Sequence, residues 1–216
     1  YWSFDGPDIS TTIKGSMDLS DVYYAKKTIT TSDSNPKYMV FHPDGTSMYI
    51  LGDTNDTVKQ YDFMEPWNLD TASYSGKYLD VTSEEDSPRV MHITSDGTKL
   101  YILGEYSINN IHQYTLSTPW DVSTASYDNA FIPSSSQSNM PKDMAFKGDG
   151  TEAYILEDGG DRVYQYTFST PWDADTSSYA NKYIDVTAQD QDPIRLILKS
   201  DGTTMYILGD HTDSVY

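Results

Sequence analysis

Three pairs of aspartates share a D-x-x-D spacing and offer oxygen ligands of the kind that calcium prefers. The pairs are Asp53 with Asp56, Asp158 with Asp161, and Asp210 with Asp213. Ca²⁺ takes about 6 to 8 oxygen ligands, so each pair can supply part of a coordination shell. The competing interpretation, which the spacing alone favours, is that these aspartates cap tight turns and keep an acidic chain soluble. Ca²⁺ at these pairs is the one cofactor that the sequence suggests.

A second set of residues varies at a position where the surrounding sequence repeats. Two residues after each of four regularly spaced prolines, charge and size change from one copy to the next: the residues are Tyr38, Val90, Asp143 and Arg195. Because function in a repeat protein is expected where the repeat breaks, we predict that these four positions line a ligand pocket. A further break is the polar segment 131–140, whose sister segments are acidic.

Catalytic patterns are scarce in this chain. Glycoside hydrolysis needs paired carboxylates and metal-assisted hydrolysis needs a bound cation, whereas Asp143 is the one carboxylate placed clearly on an inner strand. The four histidines form no H-x-H or HExxH pattern, and the chain contains neither a G-x-S-x-G motif nor a phosphate-binding loop. We therefore predict a protein that is not an enzyme.

Composition excludes several classes of function. The chain has 216 residues with 14 basic and 33 acidic side chains, a net charge of -19 that repels nucleic acid and anionic lipid. The absence of cysteine removes disulfides, thiolate metal sites and cysteine nucleophiles. No apolar run reaches the roughly 18 residues that a membrane helix needs, so we predict no membrane insertion.

The elements that position these residues follow from an internal repeat. The triplet Asp-Gly-Thr begins at Asp44, Asp96, Asp149 and Asp201, at spacings of 52, 53 and 52 residues, and a Pro-Trp pair keeps step with it. The repeat divides the chain into complete units 36–87, 88–140 and 141–192, with partial units 1–35 and 193–216. A period near 50 is typical of β-propeller blades.

Each unit is predicted to form four short antiparallel strands. Asp-Gly between apolar runs is a strong hairpin signal, and it joins the first two strands. Apolar residues at consecutive positions, as in Met48 to Leu51, indicate strands that are buried on both faces. Because both faces must be covered, the sheets stack on one another, and the fold class is an all-β propeller.

The two ends of the chain fit the repeat less well. The first 35 residues match it poorly, and His211 to Tyr216 copies only the start of a third strand. We interpret the chain as a segment of a longer polypeptide. The alternative is that the N-terminal strands complete the last blade and close a small ring.

The segments Tyr114 to Tyr127 (YTLSTPWDVSTASY) and Ser95 to Gly104 (SDGTKLYILG) resemble a known repeat. It is the "TPWDxSTASY" type of propeller repeat, found in large proteins of marine bacteriophages and marine bacteria. The resemblance covers Pro36 to Tyr216 and brings no catalytic residues with it. It implies a virion structural, tail-fibre or secreted surface protein.

The sequence thus predicts a non-enzymatic propeller of an extracellular or virion assembly, such as a fibre, appendage or decoration protein. Its partners would be other proteins of that assembly or surface glycans, and its location extracellular or on the virion surface. The alternative is a propeller-type hydrolase or lyase with its active site in the central channel. A spacer that binds nothing is a third interpretation.

Overall fold

The computed structural model describes residues 27–104 and 109–216 in full and the backbone of residues 2–4 and 22–24. The strands are β1 (Trp2–Phe4), β2 (Val22–Tyr24), β3 (Pro36–Phe41), β4 (Ser47–Gly52), β5 (Thr57–Phe63), β6 (Ala72–Asp80), β7 (Pro88–Ile93), β8 (Lys99–Gly104), β9 (Ile111–Leu116), β10 (Ala125–Ile132), β11 (Pro141–Phe146), β12 (Glu152–Glu157), β13 (Arg162–Phe168), β14 (Ser177–Asp185), β15 (Pro193–Leu198), β16 (Met205–Gly209) and β17 (Ser214–Val215). Short 3₁₀ turns at Leu69–Thr71, Val122–Thr124 and Ala174–Thr176 precede the fourth strands.

Consecutive strands pair antiparallel and form the blades of a β-propeller. Blade 1 is β3 to β6, blade 2 is β7 to β10, blade 3 is β11 to β14, and blade 4 contains β15 to β17. Strands β1 and β2 pair with each other. The predicted all-β propeller is confirmed. Each first strand begins at the proline on which the repeat was divided, while most of the predicted partial unit 1–35 lies outside the described residues.

The Asp-Gly-Thr turns have the same construction in blades 1 to 3. Gly97 has a φ of 71°, a left-handed value that glycine adopts at low cost. The indole of Trp120 lies so close to Gly97 that a β-carbon there would collide with the ring. Asp96 Oδ1 accepts hydrogen bonds from the backbone N–H and the hydroxyl of Thr98, at 3.0 and 2.9 Å. The turn therefore requires its glycine for both conformation and space.

The core lies between neighbouring blades. Every residue of β4 is buried, and β8 is buried from Leu100 to Gly104, as expected for strands covered on both faces. Tyr49 donates its hydroxyl hydrogen bond to the carbonyl of Trp120 at 2.6 Å, and Tyr101 does the same to Trp172 at 2.7 Å. Each bond joins one blade to the next. Among the described residues, no helix has the length and apolar character needed to cross a membrane.

Candidate functional site

The varied residues lie at a backbone irregularity that recurs in every blade. In each first strand, the pairing register shifts between the opening proline and the second residue after it. Such a bulge bends the strand and redirects the side chain that follows. The shifts end at Tyr38, Val90, Asp143 and Arg195, so the same local device positions all four predicted pocket residues.

Three of the four side chains meet at the inner edge of the blades. The Arg195 guanidinium carbon lies 5.0 Å from the centre of the Tyr38 ring, a cation–π distance. Arg195 Nη1 lies 4.0 Å from Asp143 Oδ1. Val90 is fully buried in the core and adds only apolar surface. The structure therefore brings together an aromatic ring, a carboxylate and a guanidinium from blades 1, 3 and 4.

Asp143 is the one carboxylate among these four residues, and its pKa departs clearly from the ordinary value. Its side chain is only 2% exposed. Burial raises its pKa to about 6, although backbone N–H groups and nearby arginines favour the charged form. Oδ1 accepts a hydrogen bond from the Met144 N–H at 2.9 Å, and Oδ2 accepts one from the Leu196 N–H at 2.8 Å. The carboxylate is thus fixed in orientation and titrates near neutral pH.

Arg89 completes what we call the channel cluster, namely Tyr38, Arg89, Asp143 and Arg195. Its Nε donates to the carbonyl of Lys142 at 3.1 Å, and its charge lowers the pKa of Asp143. In the sequence, Arg89 directly precedes the varied position Val90. Its approach to Asp143 depends on how blades 2 and 3 pack, which residue spacing does not reveal.

The predicted calcium pairs are partly engaged with lysines. Asp53 Oδ2 lies 3.3 Å from Lys37 Nζ, and Asp158 Oδ2 lies 3.0 Å from Lys142 Nζ. The second members have left-handed backbones: Asp56 and Asp161 each have a φ of 48°, and Asp213 has 53°.

Burial, followed by the charges of neighbouring acids, raises the pKa of Asp56. Burial is also the largest influence on Asp161, whose pKa is raised. Asp210 is exposed, and its backbone N–H donates to the Asp192 carbonyl at 2.9 Å. Within residues 27–104 and 109–216, no three His, Cys, Asp or Glu side chains are grouped as a metal site would need. Calcium binding at these pairs stays a prediction.

Comparison with known proteins gives structural matches alone. No protein-family model matches the sequence, and no curated protein matches it. A candidate 6-phosphogluconolactonase from Bacteroides uniformis ATCC 8492 is similar in structure, with a TM-score of 0.66 and 14% identity over 92% of this chain and 57% of that one. This chain therefore spans somewhat more than half the length of that protein.

Two further structures show the range of the match. The periplasmic gluconolactonase PpgL of Pseudomonas aeruginosa gives a TM-score of 0.54 and 14% identity, over 73% of this chain and 42% of that one. The β-propeller domain of Myceliophteria thermophila Cps50 (Swd1) gives a TM-score of 0.58 and 10% identity, over 83% and 52%. At such identities the likeness establishes the propeller fold.

The prediction of a non-enzymatic protein was wrong. The first structures that the chain matches are named as lactonases, which are hydrolases, and this favours the alternative of a hydrolase with its site in the channel. The sequence shows on the inner strands neither paired carboxylates nor a metal-binding pattern, and for that reason it did not predict a hydrolase. The buried carboxylate of Asp143 and the arginines near it come together only when the blades are assembled.

Proposed function

We propose that the channel cluster hydrolyses an ester bond in a sugar-derived lactone. The observation that carries the proposal is Asp143, a buried carboxylate whose pKa of about 6 suits a general base near neutral pH. The matched lactonase structures support the reaction class, since lactone hydrolysis needs one base, one water and stabilisation of one oxyanion.

In the proposed reaction, Asp143 takes a proton from water as the water oxygen attacks the lactone carbonyl carbon. Its two backbone hydrogen bonds leave acceptor sites free, because a carboxylate has about four lone-pair sites. The carbonyl oxygen becomes an oxyanion. When the intermediate collapses, the ring C–O bond breaks and the leaving alkoxide recovers the proton from Asp143.

Arg195 is suited to stabilise that oxyanion. Its Nη1 is buried and makes no hydrogen bond with the described part of the chain. The 4.0 Å gap to Asp143 is longer than a hydrogen bond, so Nη1 remains able to donate to a substrate oxygen beside the base. The Arg195 side chain is 39% exposed, and we propose that substrate approaches the buried carboxylate from this side.

The test is acid release from glucono-δ-lactone and from its 6-phosphate, corrected for spontaneous hydrolysis. We expect Asp143→Asn to lower kcat/KM by on the order of 100-fold or more, because general-base catalysis contributes about that much. Asp175→Asn, an exposed carboxylate of the same blade, is the control and should keep the wild-type rate.

The pH profile gives an independent check of the same base. Only the ionised carboxylate accepts a proton, so the wild-type kcat/KM should fall about tenfold per pH unit below about 6 and level off above it. A wild-type protein that releases no acid above the spontaneous rate, or an Asp143→Asn variant as active as wild type, contradicts the proposal.

We also propose an extracellular or virion-surface location, with protein or glycan partners and without nucleic acid. Support comes from the TPWDxSTASY resemblance to marine phage and bacterial proteins and from the net charge of -19. Immunogold labelling of virions or cell surfaces in the source organism tests the location.

A further inference from the structure

One carboxylate position in the propeller has moved from a loop to a strand in blade 3. Three residues before the opening proline, the chain carries an acid in blades 1, 2 and 4 and a serine in blade 3. These residues are Asp33, Glu85, Asp190 and Ser138. At the end of the second strand, the chain carries glycine in blades 1, 2 and 4 and glutamate in blade 3. These residues are Gly52, Gly104, Gly209 and Glu157. The two exceptions coincide in blade 3.

The structure explains why the two positions change together. Glu85 and Asp190 are each 1% exposed and lie directly against Gly104 and Gly209, where a β-carbon would collide with the carboxyl group. Asp190 Oδ1 accepts from the Asp192 N–H at 2.8 Å, and its Oδ2 accepts from the Thr212 N–H at 2.9 Å. In this arrangement the acid ties the loop that enters a blade to the loop between its second and third strands.

In blade 3 the carboxylate comes from the opposite side. Glu157 is 4% exposed, and its Oε2 accepts from the Gly160 N–H at 2.8 Å, so it caps the loop from within its own strand. Ser138 is left at the former acid position. It is 2% exposed, and its Oγ has no hydrogen-bond partner among the described residues. A buried hydroxyl without a partner costs free energy unless a ligand or water satisfies it.

A polar cleft of about 530 Å³ opens where the tie is lost. It is bounded by the segment 135–140 on one side and by Glu157, Gly159, Gly160, Arg162 and Tyr164 on the other. The Arg162 guanidinium lies 4.8 Å from the centre of the Tyr183 ring, and its Nε lies 3.9 Å from Asp185 Oδ2. The cleft is therefore lined by an acceptor and a hydroxyl that are both nearly covered, and by a guanidinium donor that is 39% exposed.

We propose that this cleft binds a saccharide unit through its hydroxyl groups. Sugar hydroxyls both donate and accept, which matches Glu157 as acceptor, Ser138 as either partner and Arg162 as donor. Glu157 is the one carboxylate among the described residues that line the cleft, so a cation would find a single carboxylate ligand there beside the Arg162 charge, and a dianion would meet the buried Glu157. The cleft shares no residue with the channel cluster, so the site stands independently of the hydrolase proposal.

The test is a titration of the ¹⁵N-labelled protein with methyl glucoside, methyl galactoside or N-acetylglucosamine, followed by amide chemical shifts. We expect saturable shifts at Ser138, Gly159 and Gly160 with at least one sugar. Calcium chloride is added separately, because Asp158 and Asp161 flank Gly159 and Gly160 and calcium at that pair would shift the same amides without any sugar.

The chain itself supplies the matched control. The double variant Ser138→Asp with Glu157→Gly restores the arrangement of the other three blades, so it should fold, close the tie and lose the sugar-induced shifts. Ser138→Ala, which removes only the hydroxyl, should weaken binding severalfold. Lactone hydrolysis should be unchanged in both variants, which separates this site from the channel. Wild-type amides that respond to no sugar, or respond to calcium alone, overturn the proposal, as does a double variant that binds like wild type.

Discussion

The two ends of each blade differ in how strictly they repeat. At the Asp-Gly-Thr end, Trp67, Trp120 and Trp172 have nearly the same left-handed φ, at 63°, 63° and 60°. A positive φ is costly for a bulky side chain, and here each indole is held against the turn glycine of its own blade. Three copies of one strained arrangement indicate a structural role.

The proline end of the blades keeps its backbone and changes its side chains. The bulge recurs in all four first strands, yet it positions tyrosine, valine, aspartate and arginine in turn. The carboxylate swap in blade 3 lies at this same end, since Pro141 pairs with Glu157. A constant backbone with variable side chains is how a repeat fold can acquire a site, and both sites proposed above lie at the proline end, whereas the repeated structural contacts lie at the Asp-Gly-Thr end.

Substitution of a turn glycine should have the largest effect on stability. Gly97→Ala should lower the free energy of unfolding by about 3 kcal/mol, because it combines left-handed strain with displacement of Trp120. Chemical denaturation measures the loss. Gly76→Ala is the control: its φ is 82°, but nothing lies within 4 Å, so only about 1 kcal/mol of backbone strain should appear. Equal losses in the two variants would show that the indole contact is unimportant.

A partly buried histidine gives the next largest effect on stability. The centre of the His92 ring lies 4.8 Å from that of Phe146 and 5.8 Å from that of Trp172. Burial lowers the pKa of His92 to about 4. The unfolded chain protonates near 6.5, so the stabilisation is complete above that pH and is lost as the pH falls towards 4. Between pH 7 and 5 the loss should be about 2 kcal/mol.

His92→Phe should remove that part of the acid sensitivity, because phenylalanine keeps the aromatic packing and has no proton to bind. Unfolding measured at pH 7 and pH 5 gives the comparison. His211→Gln, at an exposed position, should behave like wild type. If the wild type and His92→Phe lose equal stability over this range, the histidine titrates normally and the packing argument fails.

The repeat accounts for how much of this molecule could be predicted. The 52-residue period and the Asp-Gly turns fix strands and blades, because both are local properties of the chain. The varied column was visible for the same reason. The charge environment of Asp143 was not, because Leu196, Arg89 and Arg195 reach it from neighbouring blades. The exceptional residues Ser138 and Glu157 can be seen in the sequence. Their relation becomes apparent only in the structure, where the two positions face each other.

The smallest predicted effect concerns a tyrosine hydroxyl that occupies the same position in blades 1 to 3. The question is whether its hydrogen bond contributes the same free energy of unfolding in each blade. Tyr101→Phe and Tyr49→Phe each leave a tryptophan carbonyl of the next blade without its donor, so each should cost about 1 kcal/mol of unfolding free energy. Tyr154 occupies the same position in blade 3, but its hydroxyl donates to Glu152 of its own strand.

Because that carboxylate remains partly exposed, Tyr154→Phe should cost less than the other two substitutions. Urea unfolding of the three variants measures the difference in unfolding free energy. Tyr74→Phe is the reference, because the Tyr74 side chain is 45% exposed. Identical losses at all three positions would mean that the bond between blades contributes no more than the bond to Glu152 within one strand. Losses no larger than that of Tyr74→Phe would mean that the interblade hydroxyl bond adds nothing to the packing of the rings, which Tyr→Phe preserves.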